Sequence, residues 1–160
     1  MPEQAETAQR PVLVAIDFSP FSERALLWAA RAARGFGAPL VVLHVVHDPA
    51  SEPGYYQRAA GGDEPLQRIE EAAAEMMTEF LDRIDREHPE LLADADRRLV
   101  IGVPVTRILE VAADVGAELI VMGSHGRTGL SHLMLGSKAL SVAQLSPVPV
   151  TIVKAPEWGA

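Results

Sequence analysis

The sequence predicts an α/β fold built around a parallel β-sheet. Five short apolar segments, each suited to a buried strand, alternate with four segments whose apolar residues recur at helical spacing. The strand segments are nearly continuous apolar runs, which is typical of strands covered on both faces. Regular strand–helix alternation favours parallel pairing through right-handed crossover connections.

The five strand segments are short, as expected for a small parallel sheet. We predict strands at residues 11–16, 40–46, 99–101, 119–122 and 149–153. The second run is interrupted only by His44, which we expect to be a buried, hydrogen-bonded histidine rather than a ligand. The fifth strand begins at a proline, where a missing backbone donor does least harm.

Capping residues delimit the predicted helices. Ser19 is suited to cap the first helix and Pro20 to open it, while Gly35 and Gly37 are expected to end it. Apolar stripes predict further helices at 66–84, at 106–115 and from the region of Gly136 to residue 145. The stripe at 66–84 is interpreted as core, with a partner-binding surface as the alternative.

Residues 47–65 contain several prolines and glycines that would interrupt any regular element. We interpret them as a long mobile loop. Loops of this length in compact domains are usually functional or disordered. We expect this one to become ordered when a ligand binds.

Composition excludes several classes of protein. The chain has 160 residues, of which 48% are hydrophobic, and we expect one domain at 11–154 between short tails at 1–10 and 155–160. It has no cysteine, which excludes disulfides and thiolate chemistry. Its net charge of −8 disfavours nucleic-acid or anionic-membrane binding. With no apolar 18-residue run and no secretory-type leader, we expect no membrane span and a cytoplasmic location.

A glycine-rich loop follows the fourth predicted strand. Residues 123–129 read Gly-Ser-His-Gly-Arg-Thr-Gly. Nine residues separate Gly126 from the pair Gly136-Ser137. Glycines and a helix N-terminus bring backbone N–H groups to an anion, and Arg127 would add a guanidinium fork. The spacing matches neither a P-loop nor a dinucleotide fingerprint. The pattern indicates a phosphate cradle, although a plain turn rich in Gly and Ser is an equal alternative.

Ligands of open parallel sheets bind beyond the carboxyl ends of the strands, where the strand order reverses. Asp17 after the first strand, the end of the second strand and the loop after the fourth should therefore converge. Asp17 could instead cap the first helix, but its position at a strand end favours contact with a ligand. The five histidines show no metal-binding spacing. His125 lies in the cradle, where it either touches phosphate or is solvated.

The motif Gly123-x2-Gly126-x9-Gly136-Ser137 resembles the nucleotide-binding signature of the universal stress protein family. The flanking segments resemble it too: Asp-x-Ser after the first strand, Leu-His-Val at 43–45, a Gly-x-Pro turn at 102–104 and the fifth-strand entry at 147–150. The resemblance spans about residues 11–154. It implies a doubly wound, Rossmann-like sheet of order 3-2-1-4-5 with helices on both faces.

The resemblance also implies ATP binding, as in the subgroup that carries this glycine signature. Asp17 would hold the ribose hydroxyls or the adenine side, and Val45 would pack on adenine. The implied nucleotide-binding set is Ala15, Asp17, Val45, Met122, Gly123, His125, Gly126, Arg127, Thr128, Gly136 and Ser137. Ala15 departs from the proline of some ATP-binding members. Mg²⁺ or Mn²⁺ would be held mainly by the phosphates, with no protein metal site.

The expected function is therefore a nucleotide-responsive regulator of the stress response, which acts through its conformation or an unidentified partner protein. The family commonly dimerises through its last strand, so we expect a homodimer. No residue is assigned a catalytic role, and ATP hydrolysis would be slow at most. The alternatives are a nucleotide hydrolase or adenylyl-transferring enzyme on this scaffold, and an interaction module without nucleotide. The residues do not distinguish ATP from AMP or a cyclic nucleotide.

Overall fold

The computed structural model describes residues 8–47, 66–126 and 134–154. The elements in these ranges are β1 (Val12–Ala15), α1 (Pro20–Phe36), β2 (Leu40–Val46), α2 (Leu66–Glu87), β3 (Asp96–Ile101), α3 (Pro104–Val115), β4 (Leu119–Gly123), α4 (Ser137–Leu145) and β5 (Val150–Val153). The strands pair in parallel in the order β3-β2-β1-β4-β5. The predicted α/β class and the strand order are both confirmed.

Helices cover both faces of the sheet, which makes it doubly wound as expected. Successive side chains of a strand point to opposite faces. Val12 and Val14 of β1 therefore pack with α1 and α2, in a cluster that includes Phe80. Leu13, between them, packs on the opposite face, in a cluster with Ile108 of α3 and residues of α4. Burial on both faces explains why the strands are almost continuously apolar.

The ends of α1 follow from its capping residues. Ser19 is the N-cap, and its Oγ accepts a hydrogen bond from the backbone N–H of Ser22 over 3.1 Å. Gly37 ends the helix in the left-handed conformation that glycine favours (φ 66°). Gly35, expected to help end α1, lies inside it instead. Phe36, the last residue of α1, is 52% exposed.

Two elements begin earlier than predicted. β3 starts at Asp96 rather than residue 99, and its first three residues, Asp-Arg-Arg, are exposed. Because β3 is an edge strand, paired only with β2, it accepts polar residues that an apolar-run criterion overlooks. α3 begins at Pro104 rather than residue 106, since proline is well suited to the first helical position.

The apolar stripe of α2 belongs to the core, which confirms that interpretation. Ile69, Ala73, Met77, Phe80 and Ile84 are buried, and the helix extends to Glu87, three residues beyond the predicted end at residue 84. Of the predicted long loop, residues 48–65 lie outside the described part of the chain. No helix within the described residues is long and apolar enough to cross a membrane.

One ion pair links α2 to α1 on the surface. Arg83 Nη2 lies 2.7 Å from Glu23 Oε2, and a second guanidinium nitrogen also donates to that carboxylate. The hydrogen bonds from Arg83 to Glu23 raise the pKa of the guanidinium further above its ordinary value. The pair therefore fixes the position of α2 against the first turn of α1.

Candidate functional site

A cleft of about 320 Å³ opens beyond the carboxyl ends of the strands, where β1 and β4 lie side by side. α1 follows β1 onto one face of the sheet, and α4 follows β4 onto the other. Because the two connections diverge, they leave a crevice between them. The described residues therefore place this cleft at the position that the strand order predicts.

Residues from five separate segments meet in this cleft. Of the sequence-predicted binding residues, nine line it: Ala15, Asp17, Val45, Met122, Gly123, His125, Gly126, Gly136 and Ser137. Arg127 and Thr128 lie outside the described residues. Convergence shows that the predicted residues are neighbours, while their contact with a ligand stays a prediction.

Asp17 shapes the tight turn between β1 and α1. Its Oδ1 accepts a hydrogen bond from the backbone N–H of Ser19 over 3.0 Å, and Ser19 in turn caps the helix. Phe18, between them, has a positive φ of 66°, which is uncommon outside glycine. Asp17 thus supports the helix start without being its N-cap. A Cβ added to Gly126 would lie 3.2 Å from the other carboxylate oxygen, Oδ2.

The other signature glycines permit close packing of backbone segments around the cleft. A Cβ on Gly123 would lie 2.9 Å from the carbonyl carbon of Phe21 in α1. A Cβ on Gly136 would lie 3.2 Å from the carbonyl oxygen of Ser124. The glycines therefore bring α1, α4 and the loop after β4 together around the same space.

Gly136 is the N-cap of α4, which corrects the expectation that it lies inside the helix. Its N–H donates to the Ser124 carbonyl over 2.8 Å. As a glycine, this N-cap has no side chain to cap α4, and the first backbone N–H groups of a helix have no partner four residues earlier. Ser137 and Ala139 of this first turn line the cleft. The positive end of the helix dipole therefore faces the cleft.

The opposite wall of the cleft is apolar. Val45 and Met122 lie near the ends of β2 and β4, and Ile108 projects from α3. All three are buried side chains of one core cluster. The cleft thus combines an apolar wall with an electropositive helix end.

The two histidines considered above have defined partners. His44 is 1% exposed, and its Nδ1 lies 2.7 Å from the carbonyl oxygen of Ile16. A carbonyl only accepts, so Nδ1 carries a proton and donates it. The expectation of a buried, hydrogen-bonded His44 is confirmed. His125 is half-buried, with its Nδ1 3.0 Å from Ser124 Oγ and its ring 5.2 Å from that of Phe21.

Sequence reasoning missed one polar pair in the cleft. Lys138 Nζ, in the first turn of α4, lies 2.7 Å from Nε2 of His47, which follows β2 directly. The two residues are 91 positions apart, so no local pattern reveals the contact. The position of Lys138 directly after the glycine signature was the one available signal. The remaining cleft residues that sequence reasoning did not assign to the site are Ile16, Ser22, Leu43, His44, Pro104, Ile108 and Ala139.

Comparison with known protein sequences identifies one family. The model of the universal stress protein family matches residues 9–154. A universal stress protein of Thermus aquaticus is 34% identical over 148 residues, which cover 91% of this chain and 98% of that protein. One from Mycolicibacterium smegmatis is 33% identical over 152 residues, or 95% of this chain. The chain spans about half (48%) of the length of that relative.

Solved structures show the same fold. The Methanocaldococcus jannaschii protein MJ0577 superposes with a TM-score of 0.70 at 26% identity, covering 94% of this chain and 99% of its own. An Archaeoglobus fulgidus universal stress protein in complex with dAMP gives 0.63 at 27% identity, covering 92% and 99%. A universal stress protein in complex with cAMP gives 0.64 at 25% identity, covering 92% and 98%. On the family match and the Thermus relative, the chain belongs to the universal stress protein family.

Proposed function

We propose that this universal stress protein binds ATP, together with a divalent cation, in the cleft between β1 and β4, and acts as a nucleotide-responsive regulator of the stress response. One observation carries the proposal. A single cleft joins an apolar wall to the N-terminus of α4, whose N-cap is a glycine. An adenine ring suits the first feature and a phosphate chain the second.

The apolar wall supports the adenine half of the proposal. Val45, Met122 and Ile108 offer aliphatic and thioether surface, with Ala15 nearby. A flat heteroaromatic ring gains affinity by leaving water for such a surface. The volume of about 320 Å³ falls within the range of small-molecule sites, roughly 300–1,000 Å³.

The helix end supports the phosphate half. Backbone N–H groups of the first turn of α4 line the cleft, and the glycines at 123, 126 and 136 keep the nearby backbone free of side chains. Such a backbone surface binds anions without needing a particular side chain. We assign Arg127 and Thr128 to the same role from the sequence motif.

Asp17 lines the cleft at the turn between β1 and α1. Its Oδ1 is engaged by the Ser19 N–H, and Oδ2 faces Gly126. A carboxylate oxygen is an acceptor only, so it suits the hydroxyl donors of ribose and repels phosphate. We therefore assign Asp17 to the sugar. His125, in the loop after β4, lines the same cleft, where it can contact the ligand.

The nucleotide would supply most ligands of the cation. The described residues contain no group of three or more His, Asp or Glu side chains suited to hold a metal. Phosphate oxygens are the usual ligands of Mg²⁺ at such sites. Nucleotide binding would then affect the turn at Asp17 and the start of α4. The helices that begin at these two points lie on different faces of the sheet. The complexes of relatives with dAMP and with cAMP support adenine nucleotides as the ligand class.

The proposal is tested by calorimetric titration of the wild type with ATP and magnesium, and separately with AMP and cyclic AMP. Gly126→Val places a branched side chain against the Asp17 carboxylate, so ATP should bind roughly tenfold more weakly or worse, a loss of about 1.4 kcal/mol. Gly35→Val is the matched control, because a Cβ there meets nothing within 4 Å. Far-UV circular dichroism checks that both variants fold.

Binding by the wild type and by Gly35→Val, with loss in Gly126→Val, would support the cleft as the nucleotide site. No heat with ATP, AMP or cyclic AMP would refute nucleotide binding and favour the interaction module. Tighter binding of AMP or cyclic AMP than of ATP would change the assigned ligand.

We also propose that the protein forms a homodimer through β5. This strand pairs with β4 on one side, and no other strand among the described residues pairs with its outer edge. Its four residues, Val-Thr-Ile-Val, are only half-buried. An apolar edge of this kind is normally covered, and a second copy of the same strand would cover it.

A further inference from the structure

Lys138 and His47 form a polar bridge across the cleft that the proposed function does not use. Lys138 belongs to α4 and His47 follows β2, so the bridge joins two elements on either side of the space. The Nζ–Nε2 distance is 2.7 Å. Both residues line the cleft together with the first turn of α4.

The chemistry of this contact assigns a donor and an acceptor. A lysine ammonium has donors only, so Nε2 of His47 accepts the hydrogen bond through its lone pair. The imidazole is then the tautomer with its proton on Nδ1. His47 is 8% exposed, which fixes its ring more firmly than a surface side chain. The histidine thus holds the ammonium against the cleft wall.

Charge along the described lining of the cleft is consequently uneven. The carboxylate of Asp17 lies at the turn after β1, and the ammonium of Lys138 lies beside the N-terminus of α4. The ammonium and the helix end both attract anions, whereas the carboxylate repels them. Phosphate groups should therefore gather at the α4 end.

We infer that Lys138, positioned by His47, binds the phosphate chain and makes the cleft select nucleotides that carry more than one phosphate. This inference rests on the proposed nucleotide site and assigns the residue that determines its specificity among nucleotides. A longer phosphate chain brings more anionic oxygens within reach of the ammonium, and the attraction between opposite charges is strongest at short distance. Backbone N–H groups alone would bind a single phosphate as well as a longer phosphate chain.

The test compares the affinities of AMP, ADP and ATP by titration calorimetry at one magnesium concentration. In the wild type, ATP should bind at least about tenfold more tightly than AMP. A difference in affinity of this size corresponds to one charge-assisted hydrogen bond. Lys138→Met removes the charge but keeps an unbranched side chain. It should reduce the preference for ATP to about twofold or less while leaving AMP nearly unchanged.

Lys154→Met is the matched control. It makes the same change of net charge at an exposed residue directly after β5, away from the cleft. It should preserve the wild-type preference for ATP. Lys138→Arg, which retains a cation, should restore most of the preference that Lys138→Met loses.

His47 is tested as a positioning residue by two substitutions. His47→Gln keeps a hydrogen-bond acceptor for the ammonium, and His47→Leu removes it. We expect the first to retain the ATP-to-AMP ratio and the second to lower it, with both variants folded by circular dichroism. A purely structural role for His47 would change AMP and ATP binding by the same factor.

The outcomes separate the two proposals. If the wild type binds no nucleotide, the proposed function and this inference both fail. If it binds AMP and ATP equally, or if Lys138→Met weakens both equally, nucleotide binding stands and the inference is overturned. Loss of the preference in Lys138→Met, but not in Lys154→Met, supports it.

Discussion

Gly123 gives the sharpest test of how the cleft is built, because its missing side chain lies against backbone. A Cβ added there would be 2.9 Å from the carbonyl carbon and 3.0 Å from the carbonyl oxygen of Phe21. Ordinary contacts begin at 3.4 Å, so Gly123→Ala forces α1 and β4 apart by about half an ångström. Neither a helix nor a central strand makes room as a flexible side chain would.

Overpacking of this kind costs about 1–3 kcal/mol, and contact with backbone places Gly123→Ala in the upper half of that range. We expect a loss of about 2–3 kcal/mol in the free energy of unfolding, measured by urea denaturation. For a domain of this size, that corresponds to a fall in Tm of roughly 5–10 °C. Since α1 starts beside Asp17, ATP binding should weaken as well.

Gly35→Ala is the matched control for this prediction. Gly35 lies inside α1, and its added Cβ would meet nothing within 4 Å. Because alanine is a better helix former, this variant should gain about 0.5–1 kcal/mol. The same chemical change should thus have opposite signs at the two positions. A Gly123→Ala protein as stable as the wild type would refute the close approach of α1 to β4.

Three further predictions concern the turn, the surface and the sheet edge. Asp17→Asn keeps an Oδ1 that accepts the hydrogen bond from the Ser19 N–H, so the free energy of unfolding measured with urea should change by no more than about 0.5 kcal/mol. Calorimetry should show a roughly tenfold fall in ATP affinity. Unchanged affinity would contradict the ribose assignment. The side chains of Arg83 and Glu23 are 41% and 26% exposed, so a double-mutant cycle should give a coupling energy of about 0.2–1 kcal/mol that falls in high salt. A coupling energy that does not change with salt would argue against a surface ion pair. The carbonyls of Pro149 and Val153 accept hydrogen bonds from the N–H groups of Ile120 in β4 and of Ser124 directly after it, so the N–H of Ile152 points to the open edge. Ile152→Pro should therefore convert a dimer to a folded monomer in sedimentation velocity. A monomeric wild type would refute the dimer.

The helix and strand types could be predicted because they depend on local patterns. Ser19 and Gly37 define the ends of α1 through capping geometry, and the apolar stripe of α2 defines its buried face. The start of β3 was not predictable in this way. Its exposed residues are in a strand because they pair with β2, and that pairing is not encoded in the hydrophobic pattern of β3 itself.

The sequence by itself determined that the chain folds as alternating strands and helices, and it marked Asp17, Val45 and the glycine signature as residues at strand ends. Only the tertiary structure decided which side chains touch. The bridge between His47 and Lys138 spans 91 positions, and it exists because β2 ends where α4 begins. Periodicity and capping act over a few residues, whereas contacts across a cleft depend on how the crossover connections orient whole elements.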